Sequence, residues 1–130
     1  MKPNLKKFSL YLEIDGLVDY SIVPNFYDTE KKGDEIVYNF LIDVNKSNTF
    51  KIKLEKQKTS NATIKIKKII LNNVELVIFK SFGVFINESK QKKAGKTLLD
   101  EPGEFIMRVH GNVISHNFMN YIMSLTNTAI

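Results

Sequence analysis

Apolar and polar residues alternate along most of this chain, and that period-two pattern is the feature that most restricts its fold. The clearest run puts five apolar side chains on one face, those of Ile36, Tyr38, Phe40, Ile42 and Val44. Successive side chains of a β-strand point to opposite faces, so such a run predicts a strand with one buried face. Val37 and Leu41 make the second face partly apolar, which predicts that this strand is central.

The same alternation recurs at residues 8–14, 50–54, 64–68 and 105–109. Together with shorter apolar runs between turn residues, these segments predict about eight or nine strands. Many short strands with regular turns are typical of an antiparallel β-sandwich or jelly roll. A length of 130 residues is common for one domain, and no linker or repeat divides the chain, so we expect a single sandwich domain over residues 1–130.

Turn residues predict how some strands connect. Asp15-Gly16 predicts a tight hairpin between residues 8–14 and 17–23, and Pro24 is expected to end the second strand. Residues 25–34 are predicted to form a loop. Asn72-Asn73 predicts a two-residue hairpin, and Gly83 predicts a bulge or bend.

The buried faces of these strands predict the core. Its expected members are Leu10, Leu12, Tyr38, Phe40, Ile42, Ile52, Ile64, Ile66, Leu76, Ile78, Phe105 and Met107. The chain has no cysteine, so this core has to stabilise the fold without disulfides.

Composition also indicates a compartment. No apolar run is long enough to cross a bilayer, and no signal-peptide pattern follows Met1. We therefore expect a soluble protein that is synthesised in the cytoplasm without a signal peptide and that does not bind a membrane.

Lysine supplies almost all of the net charge of +5, since Arg108 is the only arginine. Arginine is the residue best suited to bidentate contacts with phosphates and bases, so specific nucleic-acid recognition is not expected. If the strands at 50–54 and 64–68 are neighbours, four lysines share one face and form a polyanion patch: Lys51, Lys53, Lys65 and Lys67. The alternative is that these lysines cover a solvated face and discourage edge-to-edge pairing of strands.

Catalytic and cofactor motifs are missing from the sequence. It contains no nucleophile elbow and no glycine-rich phosphate loop. His110 and His116 are too few and wrongly spaced for a recognised metal site. We therefore predict that the protein is not an enzyme and that it has no catalytic, cofactor-binding or metal-binding residues.

Aromatic side chains offer a different kind of site. A flat ring can stack on a sugar, and five rings are candidates for a glycan platform: Tyr11, Tyr20, Phe26, Tyr27 and Tyr121. Packing in the core or at a subunit contact is the alternative.

Residues 113–125 are rich in apolar side chains and fit either a strand or a helix, and we favour a strand that closes one sheet. So much apolar surface predicts an ordered part of the fold or of an interface. The residues expected at that interface are Phe118, Met119, Tyr121 and Met123.

Three segments, at residues 69–76, 82–85 and 101–105, share a cadence of hairpins and turns. This cadence resembles that of jelly-roll carbohydrate-binding modules and of β-sandwich domains in phage tail and capsid accessory proteins. The resemblance implies a non-catalytic structural protein, such as a virion component, that acts through protein contacts and self-association. The alternative that it implies is a module that binds a carbohydrate or another polyanion.

Overall fold

The computed structural model describes residues 3–76 and 83–109. These residues form eleven β-strands and no helix, and the strands make two antiparallel sheets. Buried side chains from both sheets form one core between them. The predicted β-sandwich is therefore confirmed. Within the described ranges there is no helix long and apolar enough to cross a membrane.

The first sheet has the strand order β10-β6-β1-β4-β3, with β7 also paired to β6. Its strands are β1 (Leu5–Asp15), β3 (Asp28–Lys32), β4 (Glu35–Asp43), β6 (Thr63–Leu71), β7 (Val74–Glu75) and β10 (Leu98–Leu99). The predicted central strand is β4, and it pairs with β1 on one side and β3 on the other.

The second sheet has the order β2-β5-β11-β8-β9. Its strands are β2 (Val18–Val23), β5 (Asn48–Gln57), β8 (Gly83–Asn87), β9 (Lys92–Ala94) and β11 (Gly103–Val109).

Aromatic contacts join the two sheets. Phe8 of β1 stacks on Phe50 of β5, with ring centroids 4.1 Å apart, and the Phe40 ring meets both edge-on. All predicted core residues within the described ranges are buried, and only Ile78 lies outside those ranges. The alternation therefore identified the inner faces correctly.

The predicted hairpin between residues 8–14 and 17–23 is wrong. Strand β1 pairs with β4 and β6, so both of its edges are occupied, and β2 pairs with β5 in the other sheet. Asp15-Gly16 does turn the chain, with a φ of +81° at Gly16, but the turn carries it from one sheet to the other. The Leu17 amide donates to Thr59 Oγ1 at 2.8 Å and fixes this crossing.

Two smaller expectations are also corrected. Residues 25–34 are not all loop, because β3 pairs with β4 across the turn at Gly33. The register of β8 against β11 starts at Gly83 without a shift, so there is no bulge at that residue. The two-residue hairpin at Asn72-Asn73 is confirmed: both residues have positive φ, and β6 and β7 pair on either side of them. Residues 113–125 lie outside the described residues.

Candidate interaction surfaces

Strand edges are the first place to look for a binding surface, because an unpaired edge can accept a strand from another chain. The strands at three of the four edges carry features that discourage such pairing. Four of the five residues of β3 are charged, and two of the three residues of β9 are lysines. Strands β7 and β10, at the remaining protected edge, have two residues each.

Strand β2 forms the fourth edge and has none of these features. It is six residues long, and Asp19 is its only charged residue. Lys58 lies 3.1 Å from the Asp19 carboxylate and partly neutralises it. Among the described residues, β2 pairs only with β5, so its other side is open to a further strand.

An exposed apolar patch begins where β2 ends. Val23, Phe26 and Tyr27 are 53%, 42% and 55% exposed, which is high for such large side chains. The Phe26 ring packs edge-to-face against Tyr38, with centroids 4.8 Å apart, and the Tyr27 amide donates to the Asn39 carbonyl at 2.9 Å. These contacts hold the patch in place beside the β2 edge.

A shallow cavity of about 270 Å³ separates β2 from the Phe26 ring. Tyr20, Ser21, Ile22, Phe26 and Tyr38 line it. The hydroxyl groups of Tyr20 and Tyr38 bond to each other. Burial raises the pKa of the Tyr38 hydroxyl well above its usual range, and the hydrogen bond with Tyr20 adds to the shift. Both hydroxyls are used within the pair, so this cavity presents mainly apolar surface to a partner.

The structure does not bring the four predicted patch lysines together. Lys51 and Lys53 lie on β5 in the second sheet, whereas Lys65 and Lys67 lie on β6 in the first. Both pairs point outward, so they occupy opposite faces of the sandwich. The Lys67 ammonium is also 3.2 Å from the Glu13 carboxylate.

A different basic surface covers the outer face of the second sheet. Its cations are Lys51, Lys53, Lys92 and Arg108, and none of them forms an ion pair with another described residue. Three half-buried aliphatic side chains lie between them, those of Val84, Ile86 and Ile106. An open groove of about 800 Å³ runs along one end of this face, lined by Lys53, Lys90 and Lys92 and also by Glu55 and Glu104. We call the four cations with their aliphatic centre the basic face.

The predicted glycan platform is also divided among separate places. Tyr11 lies on the outer face of the first sheet, with the Lys68 ammonium 4.5 Å from its ring centre. Tyr20 and Phe26 lie at the β2 cavity, and Tyr27 lies in the adjoining exposed patch. Tyr121, together with Phe118, Met119 and Met123, lies outside the described residues.

Sequence reasoning missed the β2 edge. A signal was present in residues 18–23, since six consecutive residues with strand propensity contain one charge and precede Pro24. Identifying the strand as an edge requires the sheet order, which local alternation does not contain.

Within the described ranges, no group of three or more histidine, aspartate or glutamate side chains comes together in a way that could hold a metal ion. No protein-family model, curated protein or solved structure matches this chain.

Proposed function

We propose that this protein is a non-catalytic structural protein that assembles with copies of itself through the open edge of β2. The observation that supports the proposal is the contrast among the sheet edges, since β2 alone among the described edge strands is neither short nor highly charged. Natural β-proteins usually protect such an edge when it faces solvent. An unprotected edge next to an exposed apolar patch is therefore suited to strand addition.

A second copy suits this edge because β2 is compatible with itself. Antiparallel pairing about a twofold axis between Tyr20 and Ser21 would place Asp19 opposite Ile22 of the other copy. No like charges would face each other, and the second sheets of two copies would join into one continuous sheet. Such an interface is isologous, as in most dimers, and it would bring the Val23 side chains of the two copies close to the pairing.

The test compares the mass of the native protein with that of two charge-matched variants over a range of protein concentrations. Ser21→Lys with Val23→Lys adds two lysines at exposed positions of β2. Ser47→Lys with Thr49→Lys adds the same charge at exposed positions away from this edge. We expect the native protein and the second variant to form dimers or larger assemblies and the first variant to remain monomeric. A native protein that stays monomeric, or a β2 variant that assembles as well as its control, contradicts the proposal.

The larger assembly suggested by the sequence resemblance is a phage virion, and this remains a prediction. Recovery of the protein from purified particles, or neighbouring genes for virion assembly, would support it. Neighbouring genes for glycoside degradation would instead support the alternative of a carbohydrate-binding module.

The basic face supports polyanion binding as a second candidate function. Four cations without ion pairs on one sheet face attract a polyanion, and the groove beside them gives an extended ligand a path. Substituting Lys51 and Lys53 by glutamine should weaken retention on heparin. Substituting Lys31 and Lys65, which lie on the other sheet, is the control with equal charge.

A further inference from the structure

Three side chains on the outer face of the first sheet are buried although they point away from the core. Ser9 on β1 and Val37 and Asn39 on β4 alternate with core residues, so they face outward. Their exposed fractions are nevertheless 7%, 1% and 1%. Ser9 and Asn39 are direct cross-strand partners, and Val37 follows two residues away on the same face. We call these three residues the covered centre.

The second sheet provides an internal comparison. The outward residues of its three inner strands, β5, β8 and β11, are all exposed or half-buried. An outer sheet face in this protein therefore does not bury its own residues as a rule. Some other part of a polypeptide has to cover the centre of the first sheet.

The covered centre also lacks a hydrogen-bond partner. Ser9 Oγ donates to Asn39 Oδ1 at 2.7 Å, but Asn39 Nδ2 is buried without an acceptor. A buried polar group that is left unpaired costs about 1–3 kcal/mol. The covering element is therefore expected to bring an oxygen acceptor together with apolar surface.

Residues 113–125 have this composition. They contain eight apolar side chains and no aspartate, glutamate, lysine or arginine, and they include Ser115, Asn117, Asn120 and Ser124 as possible acceptors. Their apolar surface would be costly to leave in water.

The described chain also ends in a suitable place. Val109 pairs with Asn48, and Asn48 Nδ2 donates to the Asp43 carbonyl at the end of β4. Val37 lies six residues back along β4, a distance of about 20 Å. Thirteen residues span about 20 Å as a helix or about 44 Å as a strand, so the segment is long enough in either form.

We propose that residues 113–125 lie across the outer face of the first sheet and bury the covered centre. The face is then closed by the chain's own segment, and the two outer faces differ in role: the first is covered and the second remains open for ligands. The inference does not depend on assembly through β2, which uses an edge of the other sheet.

The test measures the reactivity of single thiols, which is simple because the chain has no cysteine. Ser9→Cys reports on the covered centre, and Ser47→Cys on an exposed turn is the reference. We expect Ser9→Cys to react at least tenfold more slowly with a thiol reagent. Adding Phe118→Glu with Ile122→Glu should raise its rate at least tenfold, whereas Thr126→Glu with Thr128→Glu, which adds the same charge outside the segment, should not.

Three outcomes would overturn the inference. Equal reactivity of Ser9→Cys and Ser47→Cys would show an open face. Slow labelling that persists with Phe118→Glu and Ile122→Glu would assign the cover to another part of the chain, such as residues 77–82. Protection that disappears on dilution of the otherwise native chain would assign it to a second copy.

A disulfide scan keeps the test informative if the glutamate variant unfolds. Ser9→Cys is paired in turn with one cysteine at each position from 113 to 125, and the dilute protein is oxidised. A disulfide forms readily only when the two Cα atoms are about 4.4–6.8 Å apart. We expect intramolecular cross-links at a few regularly spaced positions, and no cross-link at any position would overturn the inference.

Discussion

Phe40 contacts aromatic rings from both sheets. Its ring meets Phe8 and Phe50 edge-on, with centroids 5.9 and 5.2 Å away, and the exposed Phe26 packs against it from the side of the patch. Phe40→Ala should destabilise the protein by about 3–5 kcal/mol because it leaves a cavity that these neighbours cannot fill. Denaturant unfolding measures this loss. A loss below about 1 kcal/mol would contradict the burial of this side chain.

Gly83 and Gly103 make room for two phenylalanine rings. Phe85 and Phe105 are cross-strand partners, and each ring lies over the glycine diagonally opposite on the other strand. A Cβ at Gly83 would come within 2.2 Å of the Phe105 ring, which is too close for any real contact.

Gly83→Ala should therefore destabilise the fold by about 1–3 kcal/mol, because the Phe105 ring has to move within a packed core. Gly33→Ala is the control for loss of a glycine, since no atom lies within 4 Å of its Cβ position and only its positive φ of 61° opposes the change. Thermal unfolding compares the two variants. A Gly83→Ala protein as stable as the native one would show that the ring does not pack on this glycine.

At the scale of single elements, the two-residue strand β10 is flanked by an ion pair. Lys96 precedes the strand, Asp100 follows it, and their charged groups are 2.7 Å apart. The hydrogen bond between them raises the pKa of Lys96 and lowers the pKa of Asp100. The Thr97 carbonyl also accepts a hydrogen bond from the Ile66 amide. A short edge strand is thus held by contacts at its ends.

These shifts determine how β10 responds to pH. The pKa of Asp100 is lower in the folded state than its usual 3.8, so its contribution is present above about pH 4 and is lost as pH falls further. The pKa of Lys96 is raised from 10.5, so its contribution is lost as pH rises beyond that value. The Asp100 side chain is half exposed, so Asp100→Asn should cost less than about 1 kcal/mol at pH 7. Unfolding at pH 7 and pH 2 should show this difference disappearing in acid, and a difference that stays constant would contradict it.

The sequence predicted individual elements better than their arrangement. Alternation is local, and it correctly placed the central strand β4 and the inner faces at Phe40 and Ile52. It missed β3, whose residues are polar on both faces because the strand lies at an edge. The pairing of β1 depends on β4 and β6, which are distant in sequence, so the turn at Gly16 alone could not show that the chain changes sheets.

The candidate sites were harder to predict for the same reason. Lys51 and Lys65 belong to equally alternating segments, and only the sheet order shows that they lie on opposite faces. The β2 edge and the covered centre likewise depend on which strands are neighbours. The residue types were visible in the sequence, whereas the surfaces are properties of the sheet order.

For the whole molecule, the sheet order separates the surfaces. The basic face is on the outside of the second sheet, the covered centre is on the outside of the first, and the β2 edge lies at one side of the second sheet. A ligand on the basic face and a second copy at the edge would therefore contact different sides of the domain. The net charge of +5 acts on any polyanion before contact is made.

Polyanion binding by this molecule should be electrostatic and without sequence preference. Lysine presents a point charge rather than the planar fork of arginine, and Arg108 is the only arginine on the basic face. Affinity for heparin or DNA should fall steeply as salt rises, because each neutralised phosphate or sulfate releases counterions. Titrations at several salt concentrations with two unrelated DNA sequences measure both properties. Tight binding to one sequence that persists at high salt would contradict this expectation, because it would require base contacts that isolated lysines do not provide.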